Sequence, residues 1–207
     1  MSDPSPYYYQ PALGHGLPHD PFKAIIGPRP IGWIASLDGQ GRANLAPYSF
    51  FNAFCDKPPI IGFASSGWKD TVRNVEESGE FVWNLATKPL AEAMNLTSAA
   101  VPPEVDEFQL AGLTKAPCRL VKPPRVAESP VSMECKRLQI IRLHDRDGQA
   151  LDNWLTLGEV VGVFIDPTYL DDGVYQTAAA RPILRVGGTA AYLEASPEMM
   201  FEMARPT

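Results

Sequence analysis

The stretch Ile60-Ile-Gly-Phe-Ala-Ser-Ser-Gly-Trp-Lys-Asp-Thr71 has three parts, and each constrains the chain around it. An apolar run reads as a strand and ends in Ser65, Ser66 and Gly67. Lys69 follows, and Asp70-Thr71 opens a helix predicted over Val72 to Ser78. A strand that empties into a small-residue loop before a helix leaves backbone N–H groups free beside the positive end of the helix dipole. With two hydroxyls and one ammonium added, the place suits a phosphate or another compact anion. The expectation is that this bend holds a phosphorylated cofactor.

Around it the chain reads as short strands. Ile31 to Leu37, the turn Asp38-Gly-Gln-Gly-Arg42 and Ala43 to Tyr48 form a hairpin signal. Tyr48-Ser-Phe-Phe-Asn-Ala-Phe54 is dense in aromatics and small polar residues, and Glu80 to Ala86 is a strand by composition. Leu90 to Leu96 reads as a short helix and residues 97–117 as loop. Pro130 to Leu143 is the longest strand candidate, and a change in its apolar phase predicts a bulge near Arg137. Trp154 to Ile165, nearly all apolar, is expected to be a strand buried on both sides, and Ala190 to Leu193 a last short one. Ser196-Pro197 reads as a helix cap. Residues 1–20, with Tyr7, Tyr8 and Tyr9 in a row, have no period and read as an extended arm. Twenty-one prolines break helices and central strands, which favours many short elements and a mainly β fold. No repeat or long linker divides the 207 residues, so one domain over 1–207 is expected.

Totals exclude several functions. A net charge of −6 without a basic run argues against nucleic acid as a partner. No apolar run approaches the roughly 20 residues of a membrane helix, and Met1 to Pro6 lacks the zones of a signal peptide, so no membrane and a cytoplasmic location are expected. Cys55, Cys118 and Cys135 are odd in number and form no close pair, so they read as reduced thiols. His15 and His19 are separated by Gly16 and Pro18, which spoil a metal pair on one helical face.

No common catalytic motif occurs, and His144 is the sole histidine outside the arm. No catalytic side chain is therefore assigned. An expected anion loop without acid/base machinery suits a cofactor that does the chemistry itself. Tyr48 to Asn52 offers aromatic surface and backbone polar groups of the kind a flat ring needs. On pattern alone an equal reading makes Phe50, Phe51 and Phe54 core and Lys69 a surface charge.

Eight motifs occur in order: Arg29-Pro-Ile-Gly-Trp-Ile34, Asn44-Leu-Ala-Pro-Tyr-Ser-Phe-Phe51, Pro58-Pro59, Lys69-Asp-Thr71, Glu80-Phe-Val-Trp-Asn84, Ser129-Pro-Val-Ser-Met-Glu-Cys135, Gly158-Glu-Val-Val-Gly-Val163 and Arg181-Pro-Ile-Leu-Arg-Val-Gly-Gly188. Together, over roughly residues 22–193, they resemble the flavin reductase-like, FMN-binding split-barrel family, in particular its flavoredoxin-like branch.

That resemblance implies a six-stranded Greek-key split barrel with small flanking helices, working as a homodimer with FMN at the subunit interface. It assigns the FMN phosphate to Ser65, Ser66, Lys69 and Thr71, and the ring and ribityl chain to Pro47, Tyr48, Ser49, Phe50, Phe51 and Asn52. Arg29 and Asn84 are second-rank polar contacts, for which an ion pair and a strand-end hydrogen bond are equal alternatives. The implied activity is NAD(P)H-dependent flavin reduction, with NADH or NADPH as co-substrate and an oxygenase as a possible partner. The alternative is an electron carrier of flavoredoxin type that keeps FMN and has no nicotinamide site. The chain departs from many relatives at Phe164, where they carry a histidine near the flavin or nicotinamide pocket, and this puts substrate choice in doubt.

Overall fold

The computed structural model describes residues 5–206, so the first four residues of the expected arm lie outside it. Helices are few and short: α1 (Phe22–Ile25), α2 (Asp70–Ser78), α3 (Ala91–Leu96) and α4 (Glu107–Leu110). The strands are β1 (Arg29–Pro30), β2 (Gly32–Leu37), β3 (Ala43–Tyr48), β4 (Phe51–Asp56), β5 (Pro59–Ser66), β6 (Glu80–Asn84), β7 (Lys115–Ala116), β8 (Arg125–Val126), β9 (Val131–His144), β10 (Ala150–Ile165), β11 (Leu170–Asp171), β12 (Val174–Tyr175), β13 (Ile183–Arg185) and β14 (Tyr192–Glu194). No helix among the described residues is long and apolar enough to cross a membrane.

The main sheet is antiparallel with strand order β3-β2-β6-β9-β10-β5-β4. It has seven strands, one more than expected. The addition is β4, which the aromatic stretch forms by pairing Phe51 with Phe63 and Asn52 with Gly62 of β5. A small sheet, β1-β13-β14, joins the start of the motif region to its end. The sheet curls, because Tyr48 at the end of β3 packs on Phe63 of β5 with ring centroids 4.7 Å apart.

Strand alternation divides the core. Trp33 and Ala35 of β2, Leu45 of β3 and Val82 of β6 face outward into a cluster closed by Met94 of α3, Phe108 of α4 and Val126. Ile34, Phe81 and Trp83 face the opposite way with Tyr48, Ile61, Phe63 and Cys135, and Val72 and Val75 of α2 close that side. Each fully buried side chain of this size stabilises by roughly 1.5–3 kcal/mol through removal of apolar area from water. Both buried indoles keep a partner: Trp33 Nε1 donates to Thr97 Oγ1 at 3.0 Å and Trp83 Nε1 to the Ile31 carbonyl at 2.9 Å.

The expected bulge is present. The β9–β10 register passes from Leu157–Gln139 to Gly158–Arg137, leaving Leu138 out of the ladder. Three expectations need correction. Trp154 to Ile165 is not buried on both sides, since Val163 is 54% and Ile165 38% exposed, and the described residues leave that face of β10 open. Residues 97–117 are not all loop: Asp106 caps α4 by accepting the Phe108 N–H at 3.0 Å, a turn that needs only local chemistry. Ser196 precedes a short 3-10 turn, Pro197–Met199, without a side-chain cap. The described part of the arm folds on itself, with Tyr7 donating to the His15 carbonyl at 2.8 Å. Among the described residues no group of His, Cys, Asp or Glu could hold a metal, and the three cysteines are unpaired.

Candidate functional site

β5 runs out at Ser66, and Gly67 takes a positive φ of 92° that lets the chain turn before α2. The turn is pinned from outside. The Gly67 N–H donates to the Asp152 carbonyl at 2.8 Å, and Trp68 packs edge-on against Trp154, ring centroids 4.5 Å apart. Lys69 is the extended N-cap of α2 and no side chain caps the first turn. Its N–H groups are therefore open to a ligand. Among the described residues Lys69 takes part in no ion pair, whereas Asp70 pairs with Arg73 at 2.6 Å.

In front of this turn lies a cavity of about 430 Å³. One wall is β3, with Asn44, Ala46, Pro47 and Tyr48, and another is the start of α2, with Lys69, Asp70 and Thr71. Thr97 to Val101 and Glu107 complete it. Asn44 Nδ2 donates to Thr71 Oγ1 at 2.9 Å, joining the first two walls. Thr97 is held from behind, accepting from Trp33 and donating to the Met94 carbonyl at 2.7 Å.

Burial acts on two titratable groups in the lining. Burial pushes the Tyr48 phenol up to about 12, against opposing hydrogen bonds from Thr71 and Ser65, so it remains a neutral hydroxyl. Burial also raises the Glu107 carboxyl above its ordinary value. Hydrogen bonds, including one from the Leu45 N–H at 3.1 Å, work the other way, and the charges of Asp106 and Asp70 add to the rise.

Of the residues singled out in the sequence, Pro47, Tyr48, Lys69 and Thr71 line this cavity. Ser65 is buried behind it, its hydroxyl donating to the Gly67 carbonyl at 2.9 Å. Ser66 faces solvent and accepts from Asn153 Nδ2 at 3.0 Å. Ser49, Phe50, Phe51 and Asn52 lie at the β3–β4 corner, outside the lining. Phe51 stacks on Trp83 at 5.7 Å, Phe50 is 40% exposed, and Asn52 accepts the Ala53 N–H. Among the described residues Arg29 makes no ion pair; it donates to the carbonyls of Ser49, Lys23 and Ile26 and so ties α1 to that corner. Asn84 is fully buried away from the cavity, donating to the Trp33 carbonyl and accepting from Val126 N–H and Ser132 Oγ. Asn44, Ala46, Thr97 to Val101 and Glu107 were not singled out. Alternation with Tyr48 along β3 signals the first two. Phe164 sits on β10 with Arg125 4.6 Å and Arg119 5.7 Å from its ring centroid. Ser66 pairs with Asn153 of the same strand, so Phe164 lies on the order of 30 Å along β10 from that bend.

The flavin reductase like domain matches residues 27–183. The chain belongs to the flavin reductase-like family. Among curated relatives, an uncharacterized protein of Aquifex aeolicus is 37% identical over 81% of this chain and 86% of its own length. An uncharacterized protein of Halalkalibacterium halodurans is 35% identical over 81% and 83%. Among solved structures, nitrilotriacetate monooxygenase component B from Bacillus cereus superposes with a TM-score of 0.82 at 29% identity, covering 98% of each chain. The 2-nitrobenzoate 2-nitroreductase of Pseudomonas fluorescens gives 0.77 at 28% identity, over 90% of this chain and 89% of that one. Flavoredoxin of Desulfovibrio vulgaris, at 0.73 and 22% identity over 86% and 90%, shares the fold. The flavin reductase-like fold here is thus a mainly antiparallel sheet with small helices, and the uncapped start of α2 opens on the cavity lined by β3.

Proposed function

We propose that the chain is an FMN-binding oxidoreductase that reduces flavin with NADH or NADPH, as the reductase component of a two-component oxygenase system. One observation carries the reading: Pro47, Tyr48, Lys69 and Thr71, taken from separate stretches of sequence, converge on one cavity. Its volume of about 430 Å³ falls within the roughly 300–1,000 Å³ typical of small-molecule sites. The donor set fits the group. Lys69 and the uncapped first turn of α2 suit a phosphate, and Ala46, Pro47, Ala99, Ala100 and Val101 make a low-relief apolar wall for a flat ring. Of the two acids in the lining, Asp70 is paired with Arg73, and burial raises the Glu107 carboxyl above its ordinary value.

When bound, FMN supplies the hydride-accepting chemistry. The chain's contribution is to grip the phosphate through Lys69 and Thr71, present the neutral Tyr48 hydroxyl at the wall, and exclude water on the Thr97 to Val101 side. Homodimer formation is part of the proposal: Phe54, Val163 and Leu138 are 56%, 54% and 44% exposed on the sheet and would be covered by a second copy. The similarity to component B of nitrilotriacetate monooxygenase supports an oxygenase as the electron-consuming partner.

The test is the absorption spectrum of the purified protein, identification of what it releases on heating, and aerobic oxidation of NADH and NADPH with added FMN. Rapid oxidation of either nucleotide supports the reductase. A tightly held flavin without nucleotide oxidation supports the carrier instead. A colourless protein that added FMN does not reconstitute overturns both.

A further inference from the structure

A second cavity, of about 320 Å³, opens at the far end of β10 and shares no residue with the first. Arg125, Glu128, Ser129, Phe164, Asp166 and Tyr169 contribute to its lining. Nε of Arg125 is buried there without an acceptor among the described residues. The Arg125 guanidinium lies 4.6 Å from the centroid of Phe164, and that of Arg119 lies 5.7 Å from the same centroid. A phenyl ring attracts a guanidinium and holds its plane, but it does not accept the in-plane N–H bonds. Among the described residues neither arginine is in an ion pair.

The neighbouring carboxylates are engaged elsewhere. Glu134 accepts the backbone N–H groups of Arg119, Leu120 and Val121. Glu128 accepts that of Thr114, and Asp166 takes both the N–H and the hydroxyl of Thr168. Two guanidinium groups thus gather around one ring, and Arg125, whose buried Nε has no acceptor among the described residues, contributes to the lining of the cavity. We propose that this cavity binds a compact anion, a carboxylate or a phosphate, through Arg125, with Phe164 fixing the guanidinium plane and Arg119 adding a second positive charge. Glu128 and Asp166 on the lining disfavour extended polyanions and restrict the site to a small group seated against Arg125. None of its residues belongs to the first cavity.

Calorimetric titration of the full chain with inorganic phosphate and with benzoate, at constant ionic strength, tests it and separates the two sources. Both titrations use the Lys69→Ala protein, so that phosphate binding at the first cavity is weakened. One anion is expected to saturate at one site per chain, and adding Arg125→Gln should weaken it about tenfold or more, the worth of one charge-assisted contact. Phosphate alone saturating assigns a phosphate group, and benzoate alone a carboxylate. In the unsubstituted chain the same anion should slow phenylglyoxal modification of Arg125, read by mass spectrometry of its peptide. That measurement decides the matter if Arg125→Gln fails to fold. The proposal is overturned if neither anion binds, if Arg125→Gln binds equally well, or if Arg125 is modified at the same rate with and without the anion.

Discussion

Asn44 on β3 donates its side-chain amide to Thr71 Oγ1 on the first turn of α2, across 2.9 Å. This bond spans two elements far apart in sequence and joins two walls of the cavity in front of α2. It also uses one lone pair of the Thr71 hydroxyl, which orients that hydroxyl's own proton towards the Tyr48 side or a ligand. The geometry makes α2 a fixed platform: Asn74 on the same helix donates to Ser36 Oγ at 3.2 Å, one turn further on.

Lys69 stands at the rim of that platform without an ionic partner among the described residues. Replacing it with alanine should weaken FMN retention by roughly 1.5–3 kcal/mol, the range for one charge-assisted hydrogen bond. Because its side chain is exposed, the melting temperature of the cofactor-free protein should stay unchanged. Fluorescence titration with FMN, beside a thermal melt without it, checks both halves; equal FMN affinity would remove Lys69 from the phosphate grip.

A pH prediction follows from Glu107, whose side chain accepts the Leu45 N–H. Burial, assisted by Asp106 and Asp70, raises its folded value above the ordinary 4.5. The folded state therefore binds this proton more tightly than the unfolded chain does. The resulting stability is fully present below the ordinary value and is lost as pH rises through the raised one. Glu107→Gln cannot lose a proton, so the difference in melting temperature between variant and parent should move in the variant's favour from pH 4 to pH 7. Melts of the cofactor-free proteins at several pH values test this, and parallel curves would contradict it.

The β2–β3 hairpin could be read from the chain because all its information is local: two apolar runs flank Asp38-Gly-Gln-Gly-Arg42, and Asp38 closes the turn by accepting N–H groups of Gln40 and Arg42. The bulge at Leu138 was legible for the same reason, as a change of phase within one strand. β4 was not, because Phe51 to Asp56 has no clean alternation and becomes a strand only by pairing with β5. Within the cavity, Lys69 and Thr71 announce themselves through the loop-to-helix pattern. Thr97 does not, since its place is set by a bond to Trp33, 64 residues away. Arg29 and Asn84 lie in motifs yet spend their hydrogen bonds on backbone carbonyls and buried neighbours, which no spacing rule reveals.

Glu134 is buried in β9 with its carboxylate turned to three consecutive backbone N–H groups, those of Arg119, Leu120 and Val121. A neutral amide offers one oxygen and turns two N–H donors towards the same backbone donors. Glu134→Gln should therefore cost about 2–4 kcal/mol, combining weakened bonds with unsatisfied buried groups. Urea unfolding with an unchanged slope would give the number, and Glu128→Gln, on the exposed surface, should change stability by no more than about 0.5 kcal/mol.

Gly158 in β10 is required by a neighbour rather than by its own backbone angles. A Cβ there would sit 2.4 Å from Cε1 and 2.6 Å from Cζ of Phe81, a ring with no solvent exposure. Phe81 is itself wedged edge-on against Phe63 at 5.7 Å, so it has little room to withdraw. Gly158→Ala should destabilise by about 1–3 kcal/mol through overpacking. Gly188→Ala, where nothing lies within 4 Å, should be near neutral. The cause can be isolated by a double-mutant cycle. If the clash with the ring is the reason, Gly158→Ala should cost less in a Phe81→Leu background than alone, with a coupling of about 0.5–3 kcal/mol. Additive effects would mean that the strand needs glycine at 158 for some reason other than Phe81.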